Sequence, residues 1–167
     1  MTTDPGMGNH LYALKLACDN TDGPILECGT GHWSTPFLHS YAIVGRKVVS
    51  FESHEYWVQQ TRALFQNHGH EIHKVPVSED LHADWNMMPW DLYDWGVVFV
   101  DQSPVAGRLV ALSALLMLRS KAVVVVHDTD NPRYFFGPLL NYFRCRGDTK
   151  ALPRTTIVTN REKFPWK

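Results

Sequence analysis

The sequence has little of anything that would take it out of the ordinary globular class. It holds only three cysteines in 167 residues, Cys18, Cys28 and Cys145, with no Cys-x-x-Cys spacing. An odd count without that spacing excludes a disulfide framework and offers no thiolate metal site, so free buried thiols in a reducing compartment are expected. Long apolar runs are missing too: the longest β-branched stretch, Val123 to Val126, is far too short to cross a bilayer. No basic segment followed by an apolar one stands near Met1, which predicts no signal peptide and a cytoplasmic protein. There are no internal repeats, low-complexity tracts or Gly/Ser linkers, leaving one domain over residues 1–167. Charge of one sign is also lacking. Sixteen Lys and Arg face seventeen Asp and Glu, a net charge of −1, which argues against holding nucleic acid by bulk electrostatics. The balance is uneven, at −6 over residues 1–143 and +5 over residues 144–167. Charged edge strands that resist sheet-to-sheet association account for the basic tail better than a phosphate-binding surface does.

What is present is an alternation of short apolar runs with helical patterns. Residues 7–19 have the spacing of a leading helix. Strands are predicted at 24–28, 47–51, 71–77, 96–100 and 122–126, with helices at 34–44, 54–67 and 105–118 between them. In the second of these helices Trp57, Val58, Thr61, Leu64 and Phe65 are expected to face inward. A further helix is predicted over Pro132 to Phe143. Two strand-like pieces near 143–146 and 155–159, joined by Gly147-Asp148, would form an antiparallel terminal pair. Strands apolar throughout belong to a parallel sheet covered on both faces. The predicted fold is therefore a doubly wound, mostly parallel α/β sheet with helices on both faces and a C-terminal antiparallel strand pair.

Polar residues gather where these strands stop. Glu27, Gly29 and Gly31, then Glu52, Ser78, Asp101 and His127-Asp128 all stand at predicted carboxyl ends, where an open α/β sheet binds ligands. Gly29-Thr30-Gly31 can fold closely around a ligand because glycine tolerates positive φ. Ser34 occupies the place of a dinucleotide fingerprint's third glycine. Glu52 follows Gly29 by 23 residues, a spacing at which an acid can accept hydrogen bonds from ribose hydroxyls.

Glu27-Cys-Gly-Thr-Gly31 resembles the acid-x-Gly-x-Gly motif of the class I S-adenosylmethionine-dependent methyltransferases, and Asp101 in Val98-Phe-Val-Asp-Gln102 matches the acid ending that family's fourth strand. The likeness spans roughly residues 24–130. It implies that the loop wraps the methionine part of S-adenosylmethionine and that Glu52 holds the ribose. Glu27, Gly29, Thr30, Gly31, Ser34, Glu52, Ser53, Ser78 and Asp101 would form the cofactor site. Within the family the pattern is most similar to small-molecule O-methyltransferases of the macrocin and catechol types. That implies a small-molecule acceptor handled by Asp101, His127 and Asp128. It also raises Mg²⁺ held by Asp101 and Asp128, with Asp130 or Asn131 as further ligands. Base methylation is disfavoured, because Asp101-Gln-Ser-Pro104 lacks the Asp/Asn-Pro-Pro-aromatic motif of nucleic-acid amino methyltransferases. Cleavage of the same cofactor, or a silent cofactor-binding subunit, are the alternatives. A nicotinamide oxidoreductase fits Glu27 and the missing third glycine badly.

Other features stay open at this level. His68, His70 and His73 read as surface residues, since His70 and His73 point to opposite faces of a strand. His127 could serve as a base or pack against backbone, and His32-Trp33 could touch a ligand or pack the loop. Trp85 to Trp95, with three tryptophans and two methionines, is core by default and an association surface otherwise. No extra element caps the strand ends, which predicts a homo-oligomer, most simply a dimer.

Overall fold

Branched apolar residues concentrate in runs of four or five, and each run becomes a strand that is covered on both sides. The computed structural model describes residues 10–77, 84–150 and 152–165. Its strands are β1 (Ile25–Cys28), β2 (Val48–Glu52), β3 (His70–Lys74), β4 (Val97–Val100), β5 (Val123–Val126), β6 (Cys145–Asp148) and β7 (Thr156–Thr159). They form one sheet in the order β3-β2-β1-β4-β5-β7-β6. The first five are parallel, and β7 runs antiparallel to both β5 and β6. The helices are α1 (His10–Asp19), α2 (Ser34–Ile43), α3 (Glu55–Phe65), α4 (Val105–Met117) and the single turn α5 (Gly137–Leu140). This is the doubly wound sheet with a terminal antiparallel pair that the alternation predicts.

The pleat divides the core in two. Leu26, Val49, Val98, Val100, Val124 and Val126 point to one face, against Ala111, Leu112 and Leu115 of α4 and the Trp85–Trp95 stretch. Ile25, Val48, Val97, Phe99, Val123 and Val125 point to the other, against Ala13, Leu14 and Ala17 of α1 and Leu38 and Ala42 of α2. Each fully buried Val or Leu contributes roughly 1.5–3 kcal/mol relative to exposure, so these two layers carry most of the fold's stability. No described helix is long and apolar enough to cross a membrane.

Several expectations need correction. The helix expected over Pro132–Phe143 is broken into a 3₁₀ turn at Pro132–Tyr134 and α5, with Phe135 at φ +50° between them. Pro138 has no amide proton and its ring clashes with a preceding helical turn, so it is tolerated only in the first turn of a new helix. Gly147 and Asp148 lie inside β6 rather than in a turn. In α3 only Val58 and Thr61 are buried, and Leu64 is exposed. The third strand is not apolar: its sequence is His-Glu-Ile-His-Lys, as suits a sheet edge. His70 is buried rather than on the surface, and Cys145 is only half-buried. Trp85, Met88, Trp90 and Trp95 are all core, so this stretch leaves only Met87 and Leu92 as large exposed apolar side chains. Ser78 lies outside the described residues.

Candidate functional site

Register brings the polar strand ends into one row. Cys28 pairs with Phe51 on β2 and with Val100 on β4, and Val100 pairs with Val126 on β5. The next residue along each strand is therefore at the same height: Gly29, Glu52, Asp101 and His127. The row crosses the point between β1 and β4 where strand order reverses, the usual ligand crevice of an open α/β sheet.

Gly29 has φ +87°, and a Cβ there would come 2.7 Å from Gln102 Cα. Only glycine lets the first loop press against the one after β4. The loop is then tied down from both sides. Glu52 accepts from the Thr30 amide at 2.9 Å and the Thr30 hydroxyl at 3.0 Å, and its other oxygen accepts from the His54 amide at 2.7 Å. On the opposite side the Gly31 amide donates to Thr35 Oγ1 at 2.9 Å, which in turn donates to Glu27 at 3.1 Å. Glu27 is fully buried and also accepts from Ser50 Oγ at 2.6 Å. Burial pushes its carboxyl up to about 7, against hydrogen bonds from Ser50, Ser34 and Thr35 that favour the charged form. Glu27 and Ser34 thus lie beneath the loop, while Gly29, Thr30, Glu52 and Ser53 line a cleft of about 460 Å³ together with Asp101. The cleft's other walls, among them His54, Trp57 and Pro104, escaped sequence reasoning. Trp57 reads from helical spacing as core, but it is half-buried and meets the His32 ring at 4.7 Å.

Asp101, His127 and Asp128 meet at the neighbouring strand ends. His127 Nδ1 lies 3.3 Å from Asp101 Oδ1 and 3.5 Å from Asp128 Oδ1. Two residues absent from the sequence reading complete the cluster. Arg108, the one charged residue of α4, is buried and reaches Asp101 Oδ1 at 2.8 Å and Asp128 Oδ2 at 3.5 Å. A lone charge in so apolar a helix was the signal that could have found it. His10, at the start of α1, stacks on Phe99 and stands edge-on to His127 at 4.7 Å between ring centroids. Both its ring nitrogens are buried without a hydrogen-bond partner among the described residues, and burial first, then His127, lowers its pKa to about 4. No motif announces His10.

The three side chains offer ligand atoms within 4.8 Å of one another, but they do not suit Mg²⁺. That ion demands near-octahedral oxygen ligands, whereas one donor here is imidazole and both carboxylates already face a guanidinium. Asp130 and Asn131 turn away to cap backbone, accepting from the amides of Arg154 and Arg133. A wider cleft of about 1260 Å³ lies at the opposite end of the sheet, lined by Asp22, Trp95, Arg119, Arg144 and Lys163 among others. Its acids, Asp22, Asp94 and Glu162, are exposed.

No protein-family model matches the sequence, and no curated protein is similar to it in sequence. Solved structures are similar in fold. An O-methyltransferase from Bacillus cereus in complex with S-adenosylhomocysteine superposes with a TM-score of 0.60 at 19% identity, covering 94% of this chain and 82% of that one. The chain has the class I methyltransferase fold. An N-methyltransferase from Bradyrhizobium japonicum in complex with S-adenosyl-L-homocysteine gives 0.59 at 10% identity, over 93% and 87% of the two chains. An rRNA methylase from Streptococcus thermophilus gives 0.58 at 12% identity, over 96% and 99%. Oxygen, nitrogen and RNA methylation thus share the class I methyltransferase frame, and the acceptor has to be read from the site.

Proposed function

We propose that the chain is an S-adenosylmethionine-dependent methyltransferase acting on the hydroxyl of a small molecule. The observation that carries this reading is the cleft at the switch point, lined by Gly29 and Thr30 of the glycine loop and by Glu52 side by side. The Glu52 carboxylate, held at the cleft wall by Thr30 and the His54 amide, is the acceptor that a ribose requires, and two neighbours of the same fold bind the demethylated cofactor. Glu27 and Ser34 act from beneath by holding the loop, while Ser53 and Asp101 close the cleft. Ser78 is assigned to the cofactor site by its place in the sequence alone.

The reaction is a displacement. The acceptor oxygen forms a bond to the methyl carbon as the carbon–sulfur bond breaks, its electron pair staying on sulfur to give S-adenosylhomocysteine. The hydroxyl proton passes to His127, whose ring Asp101 and Asp128 hold in place. Most of the acceleration comes from positioning two partners, which needs little more than a shaped cleft. A volume of about 460 Å³ lies within the range of small-ligand pockets, and Asp101-Gln-Ser-Pro104 supplies no aromatic on which a flipped base could stack. The proposal includes a cytoplasmic protein and a homodimer. Met87 and Leu92 are the exposed apolar residues of the 85–95 stretch that a second copy could cover. Light scattering should then give twice the 19.1 kDa chain mass, and the single mass would remove the dimer.

The direct test is incubation of the pure chain with methyl-labelled S-adenosylmethionine and a panel of hydroxylated small molecules. Label transferred to oxygen, and lost in His127→Asn, supports the reading. Cofactor consumed equally with and without acceptors would point to cleavage instead.

A further inference from the structure

Arg108 has five N–H groups, and the structure gives each an acceptor. Nε donates to Gln102 O at 2.8 Å, Nη1 to His127 O at 3.1 Å and Nη2 to Asp101 O at 3.2 Å. The remaining two face Asp101 Oδ1 and Asp128 Oδ2 across the ion pairs already described. The guanidinium carbon also lies 5.3 Å from the centre of the Tyr134 ring, on which it rests. A group so fully engaged, with 7% of its surface exposed, is a fixed cation rather than a surface side chain that happens to approach.

We propose that Arg108 takes the place of a divalent metal at the acceptor end of the cleft, so that Asp101, His127 and Asp128 work as a metal-free, proton-accepting cluster. Two carboxylates at neighbouring strand ends need a positive charge between them. Here the chain supplies its own from the first turns of α4, and it takes one oxygen of each acid. Asp101 Oδ1, the atom closest to Arg108, is also the one nearest His127. A cation entering the cluster would therefore lie against a guanidinium that cannot lose its proton, and would compete for the same oxygens. The proton-accepting role assigned to His127 rests on the methyl-transfer reading. The exclusion of the metal rests on Arg108 alone.

The test is titration of Mn²⁺ into the full chain, read by the loss of the free-ion paramagnetic resonance signal and by thermal melting. The wild type should bind no Mn²⁺ tighter than about 1 mM, whereas Arg108→Ala and Arg108→Gln, which leave two carboxylates unneutralised, should bind it at least about tenfold tighter and melt higher with it. Adding Asp128→Asn to either variant should abolish the gain. Wild-type binding at micromolar Mn²⁺ that Asp128→Asn removes would overturn the proposal. So would a folded Arg108→Ala or Arg108→Gln chain with no gained affinity. If neither variant folds, the wild-type titration decides alone. S-adenosylhomocysteine titrated in parallel separates the two readings, since its failure to bind would sink the methyltransferase assignment and leave the Mn²⁺ result standing.

Discussion

Glu52 shows how much one carboxylate can be asked to do. Its oxygens already hold the Thr30 amide and hydroxyl and the His54 amide, so it shapes the glycine loop as well as facing the cleft. Glu52→Gln keeps the size and one acceptor but loses the charge. Hydrogen bonds to a charged group are worth roughly 1.5–3 kcal/mol, so a loss of about 1–3 kcal/mol is expected, or about 5- to 150-fold in affinity for S-adenosylhomocysteine. Calorimetry on the folded variant checks this, and unchanged affinity would remove the ribose from Glu52. It is only 7% exposed. Residues of this kind were legible because a glycine pair and an acid recur at strand ends with recognisable spacing. Arg108 and His10 were not, because each acts alone and reaches the cluster from a helix. Burial could not be read from either residue without knowing which strand ends the helix covers.

Elements are joined here by contacts that no single segment reveals. In α4 a Cβ on Gly107 would come 2.5 Å from Cδ1 of the buried Trp85 ring, so the helix sits on the 85–95 stretch only because that residue is glycine. Gly107→Ala should cost about 1–3 kcal/mol through overpacking, lowering the melting temperature by about 2–4 °C for each kcal/mol. A melt unchanged by the substitution would show that the two pieces are not held this closely. Across β1, β2, β3 and α2 runs a second device: Glu27 accepts from Ser50, Ser50 meets His70 Nε2 at 2.8 Å, and His70 Nδ1 meets His39 Nδ1 at 3.2 Å. Burial drives the Glu27 carboxyl up to about 7 and the His70 imidazole down to about 4, which keeps both neutral in between. The folded state binds fewer protons than the unfolded chain at His70, and likewise at His10, between about 4 and the ordinary 6.5. Stability therefore rises with pH across that window. At Glu27 the folded state binds more protons between the ordinary 4.5 and about 7, so its contribution falls as pH rises. Two groups against one should give a net rise from about pH 4 to 6.5. His70→Asn should flatten that rise and Glu27→Gln should steepen it, as followed by denaturant unfolding at stepped pH. An unaltered slope in His70→Asn would show that the imidazole is not held neutral. The histidine's burial could not be read from the sequence, since a polar strand of the pattern His-Glu-Ile-His-Lys looks like a solvated edge until Ser50 and Glu27 are seen opposite it.

At the scale of the molecule, strand order and direction were legible for a plain reason. Val97–Val100 and Val123–Val126 must be buried on both faces, and only crossover helices on each side of a parallel sheet do that. The C-terminal third was legible less well. Its strands are short, β6 alternates between half-buried and exposed residues, and Pro138 and Phe135 interrupt what periodicity alone presents as one helix. The same limit applies to the acceptor, since proteins of this fold include an O-methyltransferase, an N-methyltransferase and an rRNA methylase. The central claim is accordingly the proposal about the cofactor: one molecule of S-adenosylmethionine binds in the cleft that Gly29, Thr30 and Glu52 line. Calorimetric titration of the full-length chain with S-adenosylhomocysteine and, separately, with NAD tests it most directly. One bound S-adenosylhomocysteine per chain, with NAD giving no heat of binding, is the expected result. No binding of S-adenosylhomocysteine, or tighter binding of NAD, would contradict it.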